Sequence, residues 1–270
     1  MLPDICRAAY GGDVPKTLSI WGIPIDPTDP ASDARVSVVL MRFLRAKKLD
    51  VTATRTLLVE VLRWRQEIHV DELVKRDFVA PWSSTVAFGK DKAGRSVIYN
   101  HFDVQTIRHF RKELDTGSKT VILRAARNSE KISRSLNYET VDQVVHVTEY
   151  GPDALAELHH HPFTNATLTT IIMDYYPNLP AHSFLLNTPA RMSVLSRIRA
   201  FMAPPAVCTR VHHIAASSTE AIGRKLLPYI DADELPVRYG GKAEGFAWPD
   251  RARTAPGSSS NGALDEKKVC

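Results

Sequence analysis

Apolar positions change their spacing part-way along the chain. Between 32 and 80 they recur three and four apart. Val36, Leu40, Phe43 and Leu44 fall on one helical face, and Leu57, Leu58, Val61, Leu62 and Trp64 mostly follow the same period. Ser32 or Asp33 can cap the first helix, which runs to about Lys48, and Asp50 can cap the second. Arg42, Arg45, Lys47 and Lys48 give the first helix a basic side and end. A short third helix is predicted over 71–78. After Ala80-Pro81, Thr85-Val86-Ala87-Phe88 and residues 95–99 read as strands around a turn at 89–94. Helices at about 104–115, 119–136, 164–175, 189–202 and 217–227 then alternate with strands at 142–148, 183–187 and 210–215. That alternation predicts an α/β fold with a mostly parallel sheet. Residues 1–31, rich in Pro, Gly and Asp, read as an irregular arm. The organisation expected is therefore this arm, a helical N-terminal lobe over 32–80, an α/β lobe over 81–245 and a disordered tail over 246–270.

Composition narrows the class. With 44% hydrophobic and 24% charged residues, a largely disordered chain, a collagen and a coiled-coil rod are excluded. The charge is +5, a mild surplus that suits an anionic membrane surface or serves solubility alone. Cys6, Cys208 and Cys270 are widely spaced and form no CxxC, so a reducing compartment is expected. No signal peptide is expected, because Pro3 and Asp4 follow Met1 without a basic stretch and apolar core. No apolar run approaches the roughly 20 residues that span a bilayer, so any membrane contact is expected to be peripheral.

The motifs of covalent chemistry are missing. There is no GxGxxG, no GxxxxGK[ST] and no G-x-S-x-G. His159-His160-His161 is the obvious metal candidate, but three consecutive imidazoles point apart on any regular element. The chain is expected to bind something, not to act as an enzyme.

Four segments carry a resemblance. Residues 40–51 followed by Leu62-Arg63-Trp64-Arg65 come first, then Gly89, Asp91 and Gly94-Arg95-Ser96-Val97. Asp174-Tyr175-Tyr176-Pro177 with Phe184-Leu185-Leu186-Asn187-Thr188-Pro189 is the third, and Leu235-Pro236-Val237-Arg238-Tyr239-Gly240-Gly241 the last. In this order they resemble the CRAL-TRIO lipid-transfer proteins. The opening over 18–33 is most similar to the fungal non-classical phosphatidylinositol transfer proteins, and the middle, about 103–165, matches poorly.

The resemblance implies a helical N-terminal lobe on an α/β lobe whose sheet floors an apolar cavity closed by a mobile helix. That gate falls at 189–202, where Met192, Leu195, Ile198 and Met202 occur at helical spacing among arginines. The same spacing suits an ordinary amphipathic helix packed on the core. Tyr175 and Tyr176 would border the cavity. The ligand implied is phosphatidylinositol or a similar lipid, with Lys47, Lys48 and Arg210 on the phosphate and Asn178 standing where the family has an acidic residue. Lys47 and Lys48 also read as cations at a solvated helix end. The alternative ligand is haem or another small hydrophobic metabolite, with His146, Glu149 and Tyr150 as candidate haem ligands. A core histidine and a strand-end tyrosine are the plain reading of the same residues. Lipid transfer itself implies no cofactor, no nucleic acid, and a cytoplasmic protein touching the endoplasmic reticulum or other internal membranes.

Overall fold

Four helices open the chain: α1 (Leu2–Tyr10), α2 (Ala34–Ala46), α3 (Val51–Glu67) and α4 (Val70–Lys75). A two-stranded ribbon, β1 (Leu18–Ile20) and β2 (Ile23–Ile25), lies between the first and second. The structure is a computed structural model that describes residues 2–12, 14–16, 18–76, 84–160, 175–188, 210–215 and 218–249. Asp33 caps α2 by accepting from the Arg35 amide at 2.9 Å, and Asp50 caps α3 by accepting from the Ala53 amide at 2.9 Å.

The irregular arm expected over 1–31 is corrected. Leu2, Ile5, Cys6 and Ala9 are the buried side of α1, which packs on α3. In the ribbon Leu18, Ile20, Ile23 and Ile25 are buried while Pro24 is exposed, the period-two pattern of a half-buried hairpin. Trp21 and Gly22 form its turn with φ of 53° and 82°, the left-handed pair that a tight hairpin loop requires. Trp21 then centres the first core: its ring stacks on Phe43 at 5.2 Å, and the Arg42 guanidinium lies 3.8 Å from its centroid. Arg42 thus leaves the basic side of α2. It is fully buried, and donates from Nε to the Pro177 carbonyl (3.3 Å) and from Nη1 to the Tyr138 hydroxyl (3.1 Å).

The remaining elements are β3 (Ser84–Lys90), β4 (Ser96–Phe102), α5 (Val104–Asp115), α6 (Thr120–Arg134), β5 (Val144–Tyr150), α7 (Ala154–His160), β6 (Pro180–Leu186), β7 (Val211–Ile214) and α8 (Thr219–Leu226). The strands form one sheet in the order β3-β4-β5-β6-β7, with β3 antiparallel at the edge and the others parallel. This is the mostly parallel α/β sheet that the alternation predicted. Asp91 organises the β3–β4 turn by accepting from the Ala93 amide (3.0 Å), the Arg95 amide (2.8 Å) and Arg95 Nε (2.7 Å).

The two faces of the sheet differ. Val97, Tyr99, Val145, Val147, Phe184, Leu186 and Ile214 pack under α8 and the segment through Tyr239. On the other face Ile98 and Val144 join the first core, which also holds Ala126 of α6, so the N-terminal helices share a core with the sheet. Phe102 and Tyr150, at the far end of that face, pack with Ile107 and Ala154. The tail expected from 246 is corrected at its start: Phe246 packs edge-on to Tyr99 (5.0 Å) and against Trp248 (5.2 Å). The expected helices at 164–175 and 189–202 fall almost wholly outside the described residues, as do His161 and residues 250–270. Among the described residues no helix is long and apolar enough to cross a membrane.

Candidate functional site

All four parallel strands begin at one edge of the sheet. Arg95 precedes β4, Asp142 and Gln143 precede β5, Asn178 lies before β6 and Arg210 precedes β7. There Arg210 Nη1 donates to Asn178 Oδ1, so two of the four residues assigned to a headgroup meet. Asn178 sits at φ 59°, a left-handed position that asparagine tolerates better than most residues with a Cβ. Its carbonyl accepts from Gln143 Nε2 at 3.0 Å, and its side-chain nitrogen is buried without a hydrogen-bond partner among the described residues.

The charges around this pair are unequal. Arg45, in the last turn of α2, pairs with Asp142 at 2.6 Å, and Arg95 pairs with Asp91 at 2.7 Å. Arg210 has only the neutral amide of Asn178 among the described residues. Burial, and then the positive charges of Arg45 and Arg95, push its pKa down. A guanidinium keeps its proton in proteins, so the depression describes a half-desolvated cation in a positive field. A bound anion relieves that arrangement directly. Arg45 and Arg95 therefore belong to the candidate site, and nothing in the sequence points to either as a ligand group. In the sequence Arg45 was one residue of a basic helix side, and Arg95 belonged to a turn motif.

The other assigned residues divide. Lys47 is the C-cap of α2 and half-buried, while Lys48 is exposed at φ 54°. The described hydrogen bonds and ion pairs bring neither to Arg210 or Asn178. Tyr175 is half-buried and stacks on Trp64 with ring centroids 3.9 Å apart. Tyr176 is corrected from a cavity wall to a core strut: it is 0% exposed, and its hydroxyl donates to the Ala126 carbonyl at 2.9 Å. Met192, Leu195, Ile198 and Met202, the gate residues, lie outside the described residues.

His146 and Tyr150 share the sheet face that bears Ile98 and Phe102, as their spacing predicted. Glu149 does not join them. It points to the opposite face, where it accepts from Arg238 Nη2 (2.9 Å) and the Tyr239 hydroxyl (2.7 Å). Four residues along a strand place His146 and Tyr150 about 13 Å apart, too far to ligate one iron. Burial also pushes the Tyr150 hydroxyl up to about 12, so it stays a phenol. The three residues therefore do not fit a shared haem iron. Among the described residues no group of three His, Cys, Asp or Glu side chains is placed to hold a metal. The floor face itself is not uniformly apolar, since Asn100, His146, Thr148 and Ser183 lie between its two apolar ends.

Comparison with known proteins places this geometry. The CRAL/TRIO domain profile matches residues 83–241. The chain belongs to the CRAL/TRIO family. Within it, Patellin-3 of Arabidopsis thaliana is 27% identical over 237 residues, covering 85% of this chain and 46% of that protein. The phosphatidylinositol transfer protein sfh5 of Sclerotinia sclerotiorum is 27% identical over 270 residues, covering 90% of this chain and 60% of its own. The crystal structure of Sfh5 superposes with a TM-score of 0.62 at 15% identity, over 83% of this chain and 78% of that one, which shows a shared fold. The chain spans about half the length of the curated relatives it matches. The CRAL/TRIO profile ends on the Gly240-Gly241 terminator, and its structural reason is visible. Gly240 takes φ 87°, and a Cβ on Gly241 would overlap the Leu235 carbonyl.

Proposed function

We propose that this CRAL/TRIO chain encloses phosphatidylinositol or a similar phospholipid and moves or presents it between cytosolic membrane faces. It acts by binding, with no covalent step and no required cofactor, and nucleic acid is not a partner. The observation that carries the reading is Arg210, a half-buried cation held by a neutral amide beside two acid-paired arginines. The names of the sfh5 relatives from Sclerotinia sclerotiorum and Botryotinia fuckeliana, aligned over 90% and 89% of this chain, support the same lipid. The physical need is clear: a two-tailed lipid carries on the order of 30 methylenes, each worth about 0.8 kcal/mol out of water. Such a molecule leaves a bilayer at a useful rate only into an equally apolar enclosure.

At the headgroup end Arg210 supplies a planar fork that suits a phosphate. The unpartnered Asn178 nitrogen donates to an inositol or phosphate oxygen, Arg45 adds to the field, and Lys47 and Lys48 stand at the helix end next to it. The protein then works in the cytoplasm, touching the endoplasmic reticulum or other internal membranes peripherally. The test is the double variant Lys48→Ala with Arg210→Ala, assayed for phosphatidylinositol transfer between vesicles. Losing charge-assisted hydrogen bonds of about 1.5–3 kcal/mol should cut transfer at least tenfold while the melting midpoint holds. Unchanged transfer refutes the headgroup assignment. A colourless protein whose organic extract holds one phospholipid per chain supports the cargo, and a near-stoichiometric haem absorbance overturns it.

A further inference from the structure

We propose that the turn between α2 and α3 is a membrane-docking tip that fits an anionic bilayer surface. The large hydrophobic residues exposed among the described residues are Met41 (39%), Leu49 (62%), Val51 (53%) and Val237 (54%), and all but the last fall between 41 and 51. Met41 lies inside α2, and single exposed apolar residues are ordinary, but Leu49 and Val51 stand together at one turn. The backbone makes the grouping more telling. Lys48 and Leu49 are consecutive left-handed residues, at φ 54° and 66°, a conformation that residues with a Cβ rarely adopt. Amide bonds from Lys48 to Arg45 (3.3 Å), Leu49 to Leu44 (2.8 Å) and Asp50 to Lys47 (3.0 Å) hold the turn closed. A glycine at 49 would satisfy the same bonds without strain, yet the chain keeps a leucine there and leaves it in water. Of the eight non-glycine residues at positive φ among the described residues, Leu49 is an apolar one left exposed, which points to a use for its side chain.

The surrounding charge selects the partner. Lys48 and Arg55 are exposed and Lys47 half-buried, and Val51 and Arg55 share a face of α3 one turn apart. Asp50 is the only acid between Met41 and Val59, and its carboxylate is occupied in capping α3. Two apolar side chains flanked in sequence by Lys47, Lys48 and Arg55 bury too little surface for a stable protein interface. They match a negatively charged bilayer, where leucine and valine enter the acyl boundary and lysine stems extend to the lipid phosphates. The inference rests on the lipid-carrying reading only for what docking accomplishes; the tip itself is argued from exposure, backbone and charge.

The deciding variant is Leu49→Gly, which removes the apolar side chain and relieves the left-handed residue at once. It should fold at least as well as the parent and bind phosphatidylcholine vesicles containing phosphatidylserine about tenfold more weakly. The parent should bind pure phosphatidylcholine vesicles weakly, and added salt should release it from the anionic ones. Leu49→Trp should be quenched by phosphatidylcholine brominated in its acyl chains and mixed with phosphatidylserine, beyond the quenching of the native tryptophans. Unchanged vesicle binding by Leu49→Gly, no added quenching of Leu49→Trp, or equal binding with and without phosphatidylserine would each overturn the tip. Organic extraction of the same samples separates the two readings. If parent and variant carry no phospholipid while Leu49→Gly still loses vesicle binding, the docking tip stands and the lipid-carrying reading falls.

Discussion

Replacing Glu130 by alanine should destabilise the protein by about 3–5 kcal/mol. Its side chain is 0% exposed and that of Arg65 3%. Oε2 accepts from Arg65 Nη1 at 2.7 Å, and Oε1 accepts from Arg65 Nη2 at 3.0 Å and Arg134 Nε at 2.9 Å. Arg65 also donates to the Ser19 carbonyl at 3.2 Å, so one carboxylate ties α3, α6 and the first ribbon together. Two charge-assisted bonds to Arg65, at about 1.5–3 kcal/mol each, set the scale independently and agree with the cost of stranding a buried charge. Arg134 is discounted because it is partly exposed and has Asp71 as a second partner. The assay is urea unfolding followed by circular dichroism, where the midpoint should fall with the slope unchanged. The double variant Glu130→Leu with Arg65→Met keeps the volume and removes both charges, and should recover most of the loss. Burial alone would raise the Glu130 pKa, but Arg65 and Arg134 together outweigh it and hold it below the usual carboxylate value. The folded pKa lies below the unfolded one, so this stability is complete above about pH 4.3 and is lost as pH falls through the folded pKa. A cost for Glu130→Ala below about 1 kcal/mol would refute the buried-charge reasoning.

Gly241→Ala should cost about 3 kcal/mol, because its Cβ would overlap the Leu235 carbonyl; a melting midpoint within error of the parent would contradict that packing. His146 gives a second pH signature, since burial pushes its pKa down to about 4. An unfolded histidine titrates near 6.5, so stability is full above that pH and falls by up to about 3 kcal/mol as pH drops toward 4. His146→Phe should flatten that part of the stability profile, and a variant profile overlaying the parent's would rule out a partly buried neutral imidazole.

The parts legible in the sequence were those set by local spacing. Asp33 and Asp50 precede apolar periods of 3.6, and the structure uses both carboxylates as caps. His146 and Tyr150, an even number apart, fall on one sheet face for the same kind of reason. What could not be read was burial decided by distant partners. Arg42 looks like a solvated charge until Trp21, Tyr138 and Pro177 arrive from elsewhere in the chain to enclose it. Glu149 stands beside Tyr150 in the sequence, but its alternation with Val145 and Val147 sends it to the opposite face, to Arg238 and Tyr239. The 18–25 ribbon was missed for a different reason. Leu18, Ile20, Ile23 and Ile25 alternate as a hairpin requires, but the surrounding Gly and Pro read equally as irregular chain or as turn chemistry.

Arg45 of the proposed headgroup site and Leu49 of the proposed docking tip are neighbours along the chain, and this constrains how a lipid would be taken up. Arg45 lies in the last turn of α2 with its charge felt at Arg210, and Leu49 projects four residues later. Helix end and turn together span little more than one helical pitch, about 5.4 Å. A chain seated on a bilayer by Leu49 and Val51 would bring Arg45, and with it Arg210 and Asn178, toward the lipid phosphates. Arg210, which has no acid beside it among the described residues, would then meet a lipid phosphate at the moment of docking, and acyl chains would follow a headgroup already bound. Under this order, Leu49→Gly should slow uptake in proportion to lost docking and leave release of preloaded lipid to detergent unchanged. Arg210→Ala should instead weaken retention itself. Equal effects of the two variants on both steps would mean that the tip and the headgroup site act as one, and the ordered sequence would be wrong.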